Sequence, residues 1–280
     1  MTRLLIFSDL DGTLLDHHSY SHAEADDLLC ALNQRAIPVI PCTSKTRAEL
    51  LRLRRELRLN TPFIVENGAA VLIPKGQLDS PQSELTARDG FWLKSFTPDR
   101  SHWLKLLATL DSSLTSQFRG FSSMSIAEIS ALTGLDETDA LLASQREYGE
   151  PVQWLGDEPT RSRFIDALRA KGASVLQGGR FMHISGNCDK GQALRWLAGI
   201  YATLGQCNVI TAALGDSHND VAMLEAADYP FIVRSPVHPP PAIRSARPVP
   251  VSQAVGPAGW AQLVQGLLQT IEGAAHSPPS

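Results

Sequence analysis

Ser8-Asp9-Leu10-Asp11-Gly12-Thr13 is the stretch on which the reading of this chain turns. The apolar run before it, Leu4-Leu5-Ile6-Phe7, predicts a short buried strand. Two carboxylates then follow at i and i+2. In extended backbone such side chains point to the same side, so Asp9 and Asp11 are expected to face one small volume. Two anions that close repel each other unless a cation or a proton lies between them. Gly12 allows the sharp turn that follows. An exposed acidic turn would account for this stretch alone, but three later motifs argue against so plain a reading.

The first of these follows a second apolar strand, Ile37-Pro38-Val39-Ile40-Pro41-Cys42, which ends at Thr43. Thr43-Ser44-Lys45-Thr46 then opens a helix through about Leu57, with Ser44 as the expected N-cap. Backbone N–H groups at a helix start favour an anion. Thr43 can donate to an oxygen of such an anion and Lys45 can add charge, although plain capping of the helix would need no ligand. The second motif is Asp189-Lys190-Gly191, where Asp189 caps a helix running to about Leu204. Lys190 falls in its first turn, where the macrodipole disfavours a cation, so a compensating anion is expected. The third follows the strand Val209 to Leu214 and reads Gly215-Asp216-Ser217-His218-Asn219-Asp220. Further carboxylates returning to strand ends suit a hard cation. Strands alternate with helices and carry polar motifs at their C-terminal ends, the pattern of a doubly wound parallel α/β sheet whose ligands bind outside those ends.

These four motifs, in this order, resemble those of the haloacid dehalogenase superfamily of phosphatases. Pro62-Phe63-Ile64-Val65 and Ala69 to Ile73 flank Glu66-Asn67-Gly68, and Asn-Gly between apolar runs is a hairpin signal. Together with the paired aspartates and Thr43-Ser44-Lys45, that triplet is similar to the mannosyl-3-phosphoglycerate phosphatase branch. The resemblance implies Asp9 as nucleophile, Asp11 as general acid and base, and Thr43 and Lys190 as ligands of the transferring phosphoryl group. It implies Mg²⁺ held by Asp9, Asp216 and the Asp11 carbonyl, with Asp220 ordering that shell or Lys190. Substrate contacts are expected from Ser44, Lys45, Glu66 and Asn67. The implied reaction is hydrolysis of 2-O-mannosyl-3-phosphoglycerate through an aspartyl-phosphate. Alternatives are a phosphatase for glucosyl-3-phosphoglycerate or other sugar phosphates, a phosphomutase, and a non-enzymatic sugar-phosphate sensor. A sensor has no need of a nucleophile, so Asp9 and Asp11 together argue against it.

Between the second and third motifs the superfamily inserts a cap, and the expected division is a catalytic core of residues 1–82 and 187–280 with an α+β cap of 83–186. Lys75 to Ser83 loses apolar pattern and reads as a linker. Phe91 to Phe96 is a candidate strand at the start of the cap. Helical patterns follow near 99–110, 125–132, 136–145 and 159–170, and strand-like runs at 152–155, 173–177 and 181–185. Arg146 and Arg180 are the cap candidates for a substrate carboxylate, because a guanidinium fork donates two parallel hydrogen bonds; Arg180 is favoured, since Gly178 and Gly179 permit a tight turn that would bring it near the cleft. His183 alone reads as a structural histidine. The Pro-rich stretch Val237 to Pro257 reads as a surface loop, Gly259-Trp260 as the opening of a final helix to about Ile271, and the tail from Gly273 as disordered.

Composition is that of a soluble globular protein: 280 residues, 43% hydrophobic and 19% charged. A net charge of -4 gives no reason to expect nucleic acid or an anionic membrane as partner. No apolar run approaches the roughly 18 residues of a membrane span, and the N-terminal run is too short for a signal-peptide core, so a cytoplasmic location is expected. Cys30, Cys42, Cys188 and Cys207 have no metal-like spacing and read as reduced, mostly buried thiols. Nothing in the sequence sets the oligomeric state.

Overall fold

The structure is a computed structural model describing residues 2–77, 84–178, 180–245 and 248–276. In chain order these form β1 (Thr2–Ser8), α1 (Asp26–Gln34), β2 (Val39–Pro41), α2 (Arg47–Glu56), β3 (Phe63–Val65), β4 (Ala70–Pro74), β5 (Thr86–Arg88) and β6 (Phe91–Ser95). There follow α3 (Arg100–Ala108), α4 (Ser112–Thr115), β7 (Phe118–Gly120), α5 (Ile126–Thr133), α6 (Glu137–Ser144), β8 (Glu150–Trp154), α7 (Glu158–Ala170), β9 (Ser174–Gly178) and β10 (Phe181–Ser185). The chain closes with α8 (Lys190–Gly205), β11 (Asn208–Gly215), α9 (Val221–Ala226), β12 (Tyr229–Arg234), β13 (Val251–Val255) and α10 (Gly256–His276).

The core is a parallel five-stranded sheet in the order β13-β12-β11-β1-β2. Its strands are apolar on both faces, as a sheet covered on both sides requires. Leu5 and Phe7 pack on one side with Leu194 and Leu197 of α8. Ile6 packs on the other with Leu29 of α1 and Trp260 and Leu267 of α10. The chain runs from β1 to β2 on one side and later returns to β11 on the other, so strand order reverses at β1. A crevice opens at such a point, outside the C-terminal ends of the strands, and Asp9 is the first residue past the end of β1. The buried Trp260 indole donates to Ser8 Oγ at 3.0 Å, and that hydroxyl donates to the Asp9 carbonyl at 2.7 Å. The last helix is thereby tied to the backbone of Asp9.

A second sheet, β3-β4-β6-β5, is antiparallel and is joined to β2 through a bridge between Cys42 and Ile64. The strand over 91–95 was expected in the cap; it hydrogen-bonds instead to β4, and β5 pairs with it. The cap sheet is β7-β8-β10-β9, also antiparallel. Trp103, Leu107, Phe164 and Leu168 of α3 and α7 fill one cap cluster with Val152, Met182 and Ile184. Ile129 and Ala140 of α5 and α6 fill the other with Phe121 and Phe181.

Several local expectations are corrected. The cap of α2 is Thr46, not Ser44: its hydroxyl accepts the Glu49 N–H at 3.2 Å and Glu49 returns a bond to the Thr46 N–H at 2.8 Å, a complete capping box. The β3–β4 hairpin uses four residues, 66–69, rather than a two-residue Asn-Gly turn, because Val65 is the residue paired with Ala70. The Pro-rich stretch contains β13, an edge strand whose five residues include no proline. The final helix starts at Gly256, with Pro257 in its first turn, and runs to His276, past the expected start of disorder. Cys42 is buried, but Cys30 is exposed and Cys188 and Cys207 are partly exposed. Among the described residues no helix is long and apolar enough to cross a membrane.

Candidate active site

Strand ends bring the first motif and the last two together. One carboxylate oxygen from each of Asp9, Asp216 and Asp220 lies within 4.8 Å of the other two, and all three residues are buried. Lys190, wholly buried at the start of α8, donates to Asp9 Oδ1 and Asp220 Oδ1, each at 2.6 Å. This answers the unfavourable dipole position expected for it: two carboxylates face its ammonium. Asp189 caps α8 as expected, accepting the Gln192 N–H at 2.7 Å.

Asp220 is fully engaged. Its Oδ1 takes Lys190, and its Oδ2 accepts the N–H groups of Asp216 at 3.1 Å and Ser217 at 3.0 Å. It therefore fixes the loop that carries Asp216. Thr13 Oγ1 lies 3.4 Å from Asp216 Oδ1, and His238 Nε2 lies 3.3 Å from Asp216 Oδ2. Gly12 is required where it stands: its φ is +76°, and a Cβ there would come within 2.7 Å of Asp216 Oδ2.

Three carboxylates and one ammonium leave this pocket formally short of two positive charges. Burial, followed by the repulsion of Asp220, pushes Asp9 well above the ordinary carboxylate range. The same two causes push Asp216 up to about 6. For Lys190 burial acts downward, but Asp220 and Asp9 outweigh it and hold the amine charged. A divalent hard cation would relieve the repulsion, and its preference for oxygen donors matches this donor set. The residues present thus fit a metal held by Asp9 and Asp216, with Asp220 in reach.

Asp11 turns away from this cluster to the mouth of the crevice. Its Oδ1 is 3.0 Å from Lys45 Nζ, and Lys45 also approaches Glu49 at 3.9 Å and the face of Tyr20. Burial opposes the charge on Lys45, but Asp11 and Glu49 raise its pKa above the ordinary lysine value. Thr43 is buried, and its hydroxyl accepts the Lys45 N–H at 3.2 Å, which leaves the hydroxyl proton for an incoming oxygen. Asn67 Oδ1 accepts from Asn219 at 3.1 Å, linking the β3–β4 hairpin to the last motif.

The remaining expected contacts divide. Ser44 offers its carbonyl to Arg146, whose Nη1 and Nη2 lie 3.2 and 3.1 Å from it. The cap thus reaches directly onto the Thr43–Lys45 loop. Glu66 is buried and accepts backbone N–H groups of the cap segment 147–149. Burial raises its carboxyl pKa against the pull of Arg146 and those N–H groups. Arg180, by contrast, is exposed and donates to the Leu132 carbonyl at 2.6 Å, a contact within the cap. Gly179 lies outside the described residues. Thr13 and His238 had not been singled out as contacts of Asp216. Thr13 belongs to the opening motif and was recoverable from it; His238 sits among prolines with no local signal.

A family model of haloacid dehalogenase-like hydrolases matches residues 6–89 and 157–237. The chain is 37% identical over 266 residues, 94% of its own length and 97% of the relative's, to the glucosyl-3-phosphoglycerate/mannosyl-3-phosphoglycerate phosphatase of Methanococcoides burtonii. Among solved structures, a Thermoplasma acidophilum protein superposes with a TM-score of 0.63 at 17% identity, covering 96% of this chain and 99% of that one. A haloacid dehalogenase-like hydrolase from B. subtilis gives 0.56 at 21% identity, covering 82% and 88%. The two structural matches speak for the fold.

Proposed function

The chain belongs to the haloacid dehalogenase-like hydrolases, and on that premise we propose that it hydrolyses glucosyl-3-phosphoglycerate and 2-O-mannosyl-3-phosphoglycerate to the sugar glycerate and phosphate. The observation that carries the substrate is the near full-length similarity to a phosphatase named for both esters. The geometry of the crevice supports the reaction. Phosphoryl transfer is mostly positioning and charge neutralisation. Asp9 attacks the phosphorus and becomes an aspartyl-phosphate. Lys190, on Asp9 Oδ1, keeps that carboxylate oriented and meets the charge of the phosphoryl oxygens. Thr43 donates its hydroxyl proton to one of them. Asp11, held by Lys45, protonates the departing glycerate oxygen and then takes a proton from the water that frees the phosphate. Mg²⁺, held by Asp9, Asp216 and the Asp11 carbonyl, would supply Lewis-acid neutralisation of the phosphoryl group. Asp220 keeps Lys190 and the Asp216 loop in place.

Selection falls to the cap. A phosphoglycerate ester carries a carboxylate as well as its phosphate, and Arg146 stands at the Thr43–Lys45 loop with its Nε buried and without a partner among the described residues. We assign Arg146 to that carboxylate. The test is a panel of purified phosphate esters assayed for phosphate release with Mg²⁺ and with excess chelator. The two sugar phosphoglycerates should be preferred over hexose phosphates and aryl phosphate, and chelator should stop release. Equal turnover of every ester would defeat the substrate assignment, and release in chelator the metal.

A further inference from the structure

Glu66 leaves the core at the point where β3 turns into β4. Its own N–H donates to the Lys45 carbonyl at 3.0 Å, and the next one, of Asn67, to the Thr43 carbonyl at 2.9 Å. The backbone of Glu66 is thus tied to the loop that meets phosphate. Its φ is +47°, a left-handed conformation that L side chains rarely adopt. In that conformation the carboxylate is buried against the cap. Oε1 accepts the Glu147 N–H at 2.7 Å, and Oε2 accepts the N–H groups of Tyr148 at 3.2 Å and Gly149 at 3.0 Å. Arg146 Nη1 lies 3.5 Å from Oε2. One core side chain therefore takes up three consecutive backbone N–H groups of the cap, beginning one residue after Arg146.

We propose that Glu66 is a positioning residue for substrate selection: it fixes the cap segment Arg146 to Gly149 in register with the Thr43–Lys45 loop, and so sets where Arg146 meets the substrate carboxylate. Both ends of the link are on the same few residues. The backbone of Glu66 is bonded to Lys45, its side chain to the cap segment, and Arg146 closes the circuit on the Ser44 carbonyl. A carboxylate suits the task because two acceptor oxygens meet three donors. An amide cannot replace it, since its NH₂ would face an N–H whichever way it turned. The inference rests on the proposed phosphoglycerate substrates only for the identity of the carboxylate.

The experiment uses the full chain and the variants Glu66→Gln, Arg146→Ala and the double variant, with two readouts. The first is hydrogen exchange of the peptide spanning 146–150. Glu66→Gln should speed it by about tenfold or more while β9 and β10 stay protected. The second is steady-state kinetics on glucosyl-3-phosphoglycerate and p-nitrophenyl phosphate. Glu66→Gln should raise KM for the first by about tenfold with kcat within about threefold, and change the second by less than about threefold. In the Arg146→Ala background it should add less than about threefold, because the two residues act as one unit. Unchanged exchange, an equal loss on both substrates, or a full additional loss in the double variant would each overturn the proposal. Should the wild type leave both sugar phosphoglycerates intact, the functional reading falls. The same comparison is then run on the best ester of the panel, and its outcome decides the positioning role separately.

Discussion

The floor of the crevice and the underside of the cap use charge in opposite ways. On the floor, Asp9, Asp216, Asp220 and Lys190 are buried, and the lysine is shared between two carboxylates at 2.6 Å each. These groups come from four strand and helix ends of one rigid sheet. Under the cap, Arg47 and Arg88 reach Glu147, Arg100 reaches Glu150, and Arg52 reaches Asp139. Arg52, Asp139 and Arg88 are the more exposed of these partners and the rest are largely buried, and the Arg47, Arg52, Arg88 and Arg146 contacts all run between the cap and the rest of the molecule. Buried, mutually dependent charges hold one geometry and suit a reaction common to all phosphate esters. Separate, partly buried pairs across a boundary allow the cap to differ without disturbing the buried cluster beneath it. On the proposed function, transfer falls to the floor and selection to the cap.

The sharpest way to break the floor is at Asp9, its proposed nucleophile. Asp9→Asn should lower phosphate release by at least about a thousandfold on every ester, since the covalent route is gone. Release within tenfold of wild type, measured with Mg²⁺ and saturating substrate, would remove Asp9 from that role. Lys190→Met should cost about 3–5 kcal/mol of stability, because it leaves Asp9 and Asp220 buried without their cation. A urea midpoint equal to that of the wild type would mean that the carboxylates are compensated by something other than Lys190.

The floor was legible in the sequence because each of its residues sits within a few positions of a strand end. Period and motif there report on three-dimensional position. The expected parallel sheet, the cap inserted between the motifs and the placement of Asp9, Thr43, Lys190 and Asp216 all follow from that locality. Where the expectation strayed, long-range pairing or a competing local signal decided. Thr46 displaced Ser44 as the cap because Glu49 three residues on completes a capping box, a pattern present in the sequence. Phe91 to Ser95 has an apolar stretch that fits either sheet, and only the ladder to β4 assigns it. Sequence grounds favour Arg180 over Arg146 as the carboxylate reader, because Gly178 and Gly179 permit a tight turn towards the cleft. The fold sends Arg146 to the Ser44 carbonyl and Arg180 to Leu132. The Glu66 link spans more than eighty residues and has no sequence signature.

A smaller effect tests the cap alone. His183 on β10 has no side-chain hydrogen bond among the described residues, and burial, with Arg146 acting in the same direction, pushes its imidazole down to about 3. The unfolded chain takes up this proton near the ordinary value of about 6.5, the folded chain only near 3, so stability is full above 6.5 and falls as pH drops between the two. Over pH 6 to 4 this contributes about 2 kcal/mol of acid destabilisation, which His183→Asn should remove. Parallel pH profiles of the urea midpoint for the two proteins would show that His183 is not buried as a neutral group.

The separation of transfer from selection is tested most directly by kcat/KM for glucosyl-3-phosphoglycerate and for p-nitrophenyl phosphate, measured side by side in the wild type, Arg146→Ala and Arg180→Ala. A lost charged hydrogen bond costs about 1.5–3 kcal/mol. Arg146→Ala should therefore lower the first value by roughly ten- to a hundredfold and leave the second nearly unchanged, while Arg180→Ala leaves both close to wild type. An equal loss on the two substrates in Arg146→Ala, or a selective loss in Arg180→Ala alone, would contradict the account.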